Sequence, residues 1–193
     1  ENVIVYPCAT IERCGRVCVT PESSDTDRLK RGNGTSVDLG PENGGRSVEI
    51  FANMGFVKAC QMALKDQGGY ERRKKCLPSK DESDELLGGG AGLVFILSHA
   101  KVNNCPKIVD CYIGDYAEVN SSVLINCTLN SSKLRPVKVL HYCHVSDSIL
   151  EPASSVTGGA HVQRSYISET ASVSIGAQLD NVVLGPDSSI ARG

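Results

Sequence analysis

Large aliphatic residues recur along the second half of this chain at steps of six, six and five: Leu150, Val156, Val162, then Ile167, Val173, Leu179, then Leu184 and Ile190. Four residues after most such positions sits a small one: Ala117, Cys143, Ser154, Ala160, Ala171, Ala177 and Ser188, with Val123 the exception. The segments 108–113, 145–150, 162–167 and 179–184 repeat one pattern, and the last three start seventeen residues apart. An inward aliphatic every sixth residue, with a small neighbour at the next corner, is what a chain wound into a triangular coil needs. Each flat side is then a short strand, and each coil stacks on the one before at about 4.8 Å. A β-sandwich also alternates apolar and polar residues, but it does not demand small residues at a fixed phase.

The earlier half carries weaker versions of this pattern. In residues 2–19, Val3 and Val5 alternate, and Ile11, Val17 and Val19 follow, so this stretch reads as an earlier piece of the same coil. Residues 20–34 are polar, with Pro21 and Asn33-Gly34, and read as a surface loop. Extended chain resumes with Val37 and Leu39, turns at Glu42-Asn-Gly-Gly-Arg46 and continues with Val48 and Ile50. The period then changes. Phe56, Val57, Cys60, Ala63 and Leu64 follow the spacing of one helical face, so 53–66 is predicted to be a helix capped by Asn53 and ended by Gly68-Gly69. Opposed charge runs at 72–75 and 81–85 and the glycines of 88–92 read as a linker into the strand 93–97. The glycines lack the Gly-Lys-Ser/Thr ending of a phosphate-binding loop. The division is therefore 1–52, N-terminal coils with a polar loop at 20–34; 53–92, a helical insertion and linker; and 93–193, the main coil, interrupted by a short loop at 131–136.

A formal net charge of −2 gives no reason to expect a nucleic-acid partner, and no apolar run approaches a membrane span. The chain starts at Glu1 and stops at Gly193 partway round a coil, so it reads as a piece of a longer one. The nine cysteines are odd in number. Cys111 sits at a small corner, in the phase assigned to Thr128, Ser148 and Ser165, and Cys143 holds a small place too. They read as compact packing residues in a reducing compartment, the cytoplasm or an organelle matrix. Asn-x-Ser/Thr sites occur at Asn33, Asn120, Asn126 and Asn130, and the last three fall within the repeat, where Asn and Ser suit turning corners.

The segments Ile113-Gly-Asp-Tyr-Ala-Glu118 and Leu184-Gly-Pro-Asp-Ser-Ser189 resemble the repeat of the hexapeptide proteins; Ile167-Ser-Glu-Thr-Ala-Ser172 departs at its second place. That resemblance implies a mainly β fold, a left-handed parallel β-helix, with trimeric assembly and often acyl transfer to sugars or sugar nucleotides. Handedness comes from the resemblance alone. Three further pieces are similar to a narrower family: Gly32–Leu39 with Glu42–Ile50, then Cys60–Leu64, then Leu129–Lys133 with Pro136-Val137. It comprises long, mostly bacterial β-helix proteins named only as a domain of unknown function, four-nine-five-four. The polar stretches at 20–31 and 80–92 depart from its pattern.

Hexapeptide acyltransferases place a His in a groove between subunits, as base toward the hydroxyl or amine that attacks a thioester. Such a base needs a neutral imidazole within hydrogen-bond reach. Of His99, His141, His144 and His161, the pair His144 and His161 lie seventeen apart, each just before an inward Val, and are predicted to stack on an outward face. They are the candidate catalytic residues. The plainer reading is an exposed polar ladder continued by Gln178. His141, His144 and His161 also have the count of a three-His zinc site, without the family motifs that accompany one, and Cys14-Gly-Arg-Val-Cys18 is too loose for zinc, so no metal is expected. Gly44, Gly45 and Arg46 are candidate ligand-binding residues, an anion-binding corner. No cofactor is expected beyond acyl-CoA or an acyl-carrier protein as co-substrate. Two functions follow. One is acyl transfer to a sugar or sugar nucleotide in clefts of a homotrimer. The other is a non-catalytic trimeric scaffold that meets a protein partner through the helix 53–66.

Overall fold

The computed structural model describes residues 3–19, 34–39, 46–58 and 94–192. Twenty of the described strands form three parallel sheets, the faces of a triangular tube. The first face contains Val3–Val5 and Val94–Ile96, the second Thr10–Glu12 and Lys101–Asn103, the third Arg16–Cys18 and Lys107–Val109. Each later coil adds one strand to each face. The result is a parallel β-solenoid of six coils and two sides of a seventh, mainly β as the periodicity predicts.

Register is set by burial. Val119, Val139, Val156, Val173 and Ile190 align on successive rungs of the second face. Ile108, Leu124, Val145, Val162 and Leu179 do so on the third. Ile113, Leu129, Leu150, Ile167 and Leu184 do so on the first. All but Ile190 are buried, and Ile190 packs against them from the last rung. A one-residue slip would move a whole strand's apolar set to the outside, so this core fixes the pairing.

The stretch 3–19 is the first coil. It pairs Val3 with Val94, Ile11 with Val102 and Val17 with Ile108, although these partners lie far apart in sequence. The strands Thr35–Leu39 and Arg46–Ile50 pair antiparallel with one another, Val37 opposite Val48. Val37, Ile50, Ala52 and Met54 cover the outer side of the first face at Ile149 and Tyr166. This explains why Ile149 and Tyr166 point outward on that face yet are buried.

Two details of the repeat differ from the spacing argument. Val123 breaks the small-residue phase because its coil is one residue shorter between Val119 and Leu124. Ser122 takes the buried corner and pairs with Cys143 through its hydroxyl, which accepts the Cys143 N–H at 3.2 Å. Cys111 shares its column with Cys127, Ser148 and Ser165; Thr128 instead follows Tyr112 on the outer row. In this column each side chain donates to the carbonyl two residues back: Cys111 to Val109 at 3.1 Å, Cys127 to Ile125 at 3.0 Å, Ser148 to Ser146 at 2.6 Å and Ser165 to Gln163 at 2.6 Å. A compact donor is therefore what the corner selects, and thiol and hydroxyl both serve.

The corners also require left-handed backbone. Asp110, Asn126, Asp147, Arg164 and Asn181 all have φ between 43° and 57° at equivalent turns, and Asn and Asp tolerate that region best. Asn126 meets the expectation that Asn turns corners, and its amide donates to Asp147 at 2.8 Å. The helix expected over 53–66 enters the described residues at its start. Residues 56–58 are helical, while Asn53 has φ 61° and sits in a turn before them, so it does not cap the helix. The remainder, with the glycines of 88–92, lies outside the described residues. Among the described residues no helix is long and apolar enough to cross a membrane.

Candidate functional site

On the outer row of the third face the register places Lys107, Val123, His144, His161 and Gln178 on successive rungs. Side chains alternate along a strand, so the inward Val145 and Val162 force His144 and His161 out. Their rings stack, with centroids 5.6 Å apart and planes 24° apart. His161 is exposed and His144 half-buried. Burial, then His161, then Lys107 lower the pKa of His144 below its ordinary value, so its imidazole is held neutral. Among the described residues no hydrogen bond reaches either ring. The pair can accept a proton or bind an anion, but no described carboxylate or carbonyl fixes which nitrogen carries the hydrogen.

The other two histidines stand apart from this pair. His141 is exposed at a corner with φ 68°, and its carbonyl accepts from Gly159 at 2.8 Å. His99 stacks on Tyr116, with centroids 4.6 Å apart. No three His, Cys, Asp or Glu side chains converge on a point suited to a metal among the described residues. Gly44 and Gly45 lie outside the described residues. Of Arg46 the backbone alone is described, at the start of its strand and opposite Leu39.

A second constellation escaped the sequence reading. The carboxylate of Glu151 is buried, 2% exposed. Its Oε1 accepts the Asn53 N–H at 2.6 Å and the Tyr166 hydroxyl at 3.0 Å, and its Oε2 accepts the Asn130 amide at 2.6 Å. The Asn130 amide also donates to Asn53 Oδ1 at 2.6 Å, and the Gly55 N–H donates to the Tyr166 hydroxyl at 2.9 Å. Burial first, then the Glu151 charge, push the Tyr166 phenol far above its ordinary range. This network joins the coil to the segment 53–55. It acts as a clasp, because its polar groups satisfy one another. One signal was readable: Glu151 occupies the corner place that Gly114 and Gly185 hold in other coils. What covers that corner was not, because Asn53 lies 98 residues away.

The model of a family described as a domain of unknown function, DUF4954, matches residues 11–183. No curated protein and no solved structure matches the chain. The family match spans five of the first coil's strand residues and nearly all of the later coils, so the chain belongs to the DUF4954 family.

Proposed function

We propose that this chain is part of a left-handed hexapeptide-type coil that assembles as a trimer and transfers an acyl group from a thioester to a sugar or sugar nucleotide. The observation that carries the reading is the neutral, outward His144 stacked on His161. In the reaction the His144 imidazole takes the proton of the attacking hydroxyl or amine as the new C–O or C–N bond forms. The C–S bond of the thioester then breaks, and the imidazolium returns the proton to the departing thiolate. His161 stacks on the base and opposes its premature protonation. Gly44, Gly45 and Arg46 are the proposed corner for an anionic part of the ligand. The donor is acyl-CoA or an acyl-carrier protein, and the setting is a reducing compartment.

One observation favours a second reading, a non-catalytic trimeric scaffold. Neither imidazole has an orienting partner among the described residues, whereas a working base is normally held by one. In this reading Val57, 69% exposed beside Phe56, belongs to a surface for a protein partner. Consumption of acyl-CoA thioester by the full-length protein decides between them. Turnover that His144→Ala removes and that falls with His161→Ala supports the enzyme. Absence of turnover with every thioester donor offered, alongside an intact trimer by light scattering, leaves the scaffold.

A further inference from the structure

Four of the described cysteines form two vertical pairs inside the tube. The register sets Ile11 opposite Val102 and Arg16 opposite Lys107, and the Gly15 N–H donates to the Cys105 carbonyl at 2.9 Å, so Cys14 stands one rung from Cys105. The second pair, Cys111 and Cys127, stands one rung apart in the neighbouring column.

We propose that Cys14 and Cys105 form a reversible thiol–disulfide pair that fastens the first coil to the second. Strands on adjacent rungs lie about 4.8 Å apart, within the Cα separation a disulfide accepts. The Cys14 thiol reaches across the rung already, donating to the Val102 carbonyl of the second coil at 3.5 Å. Cys14 is half-buried and so reachable, whereas Cys105 is buried. Burial first, with Cys14 as a hydrogen-bonded neighbour adding to it, pushes the Cys105 thiol up to about 11. Cys14 is therefore the thiol that reacts first and Cys105 the one that resolves. Cys111 and Cys127 are both buried, and burial drives the Cys127 thiol well above its ordinary value, so that pair stays reduced. The position gives the bond its leverage: about ninety residues separate the two cysteines in sequence, and the first coil stacks on a single described neighbour.

The oxidant is a small-molecule disulfide. The Cys14 thiolate attacks one of its sulfurs, that S–S bond breaks, and the first small thiol leaves with the proton Cys14 released. The Cys105 sulfur, having lost its own proton, attacks the Cys14 sulfur of the mixed disulfide, and the second small thiol leaves with that proton. Two cysteine thiols lose two electrons, and one disulfide becomes two thiols.

The folded 193-residue chain, incubated with oxidised glutathione and then mapped by peptide mass and amide hydrogen exchange, tests this. The expected result is a Cys14–Cys105 cross-link with Cys111 and Cys127 still alkylatable after unfolding. Exchange over Val3–Val17 should slow by about tenfold or more and recover with dithiothreitol. Cys14→Ser, a residue type the corners already use, should abolish both effects, and Cys8→Ser should leave them intact. Glutathione retained on Cys14 beside a free Cys105 thiol overturns the pair. A cross-link that leaves first-coil exchange unchanged overturns the fastening.

Discussion

The Tyr166 hydroxyl donates to Glu151 Oε1 at 3.0 Å while accepting the Gly55 N–H at 2.9 Å. One phenol thus joins a coil residue to a segment more than a hundred positions earlier. Tyr166→Phe keeps the ring against Ile149 but leaves the Gly55 N–H without its acceptor and Glu151 with one donor fewer. A loss of about 1–3 kcal/mol is expected. Glu151→Ala strips the acceptor from Asn53, Asn130 and Tyr166 together and should cost more, because each donor left buried without an acceptor costs about 1–3 kcal/mol. Urea melts give the totals, and amide exchange locates them. Protection at Val37, Val48 and Ile50 should fall more than at Val156 and Val162. Uniform loss along the whole coil would show that the clasp does not selectively hold the antiparallel pair.

Two glycines separate sterics from backbone conformation. A Cβ on Gly114 would lie 2.6 Å from the Leu129 carbonyl oxygen and 2.6 Å from the Ser131 nitrogen, both backbone atoms that cannot swing aside. Gly159 has open space around it but φ 73°. Gly114→Ala should therefore cost about 1–3 kcal/mol or more through displaced backbone. Gly159→Ala should cost about 1–2 kcal/mol through the left-handed conformation alone. Thermal melts of the two variants rank them, and equal losses would contradict the crowding at Gly114.

The columns of Val, Ile and Leu were legible because one physical rule, apolar inside a stacked triangle, acts every six residues. Val145 over Val162 and Val156 over Val173 follow from it directly, as does the stacking of His144 on His161. Val123 misled because a single deletion in one coil shifts the phase by one, and burial of Ser122 decides the register instead. Thr128 misled for the same reason: the deletion between Val119 and Leu124 falls between Cys111 and the next corner, so counting seventeen from Cys111 reaches Thr128 and misses Cys127. The Glu151 clasp was illegible because its partners converge through tertiary packing of the antiparallel pair, which no local spacing encodes. Asn53 read as a helix cap from its type alone, and its carboxylate partner pulls it into a turn instead.

Ile175 offers a stabilising substitution. It is β-branched, has φ 52° and is 65% exposed, so its side chain strains the backbone without filling the core. The preceding coil places Gly158, φ 67°, at the same corner. Ile175→Gly should raise stability by about 1 kcal/mol, the reverse of the usual sign for deleting an aliphatic side chain. A chemical melt of the variant checks it. A loss instead would mean that the isoleucine side chain is covered, and would mark that corner as a contact surface.

The stacked imidazoles set a pH dependence with a definite sign. His144 has its pKa lowered in the folded chain by burial first, then by His161 and Lys107, while the unfolded side chain titrates near 6.5. Above about pH 6.5 both states leave it neutral, and it contributes nothing to the pH slope. As pH falls below that value the unfolded chain takes up the proton first, so folded stability drops until the lowered folded pKa is passed. Relative to His144→Gln, the native chain should lose melting temperature as pH falls below about 6.5 and match it in trend above pH 7. His161→Gln removes the opposing charge and leaves the burial, so the depression should shrink without vanishing. Proton NMR of the imidazole C–H signals reads the His144 titration directly. A midpoint at or above 6.5 would show that burial and His161 do not depress the ring, and the base assigned to acyl transfer would then lose its neutral form already at mildly acidic pH.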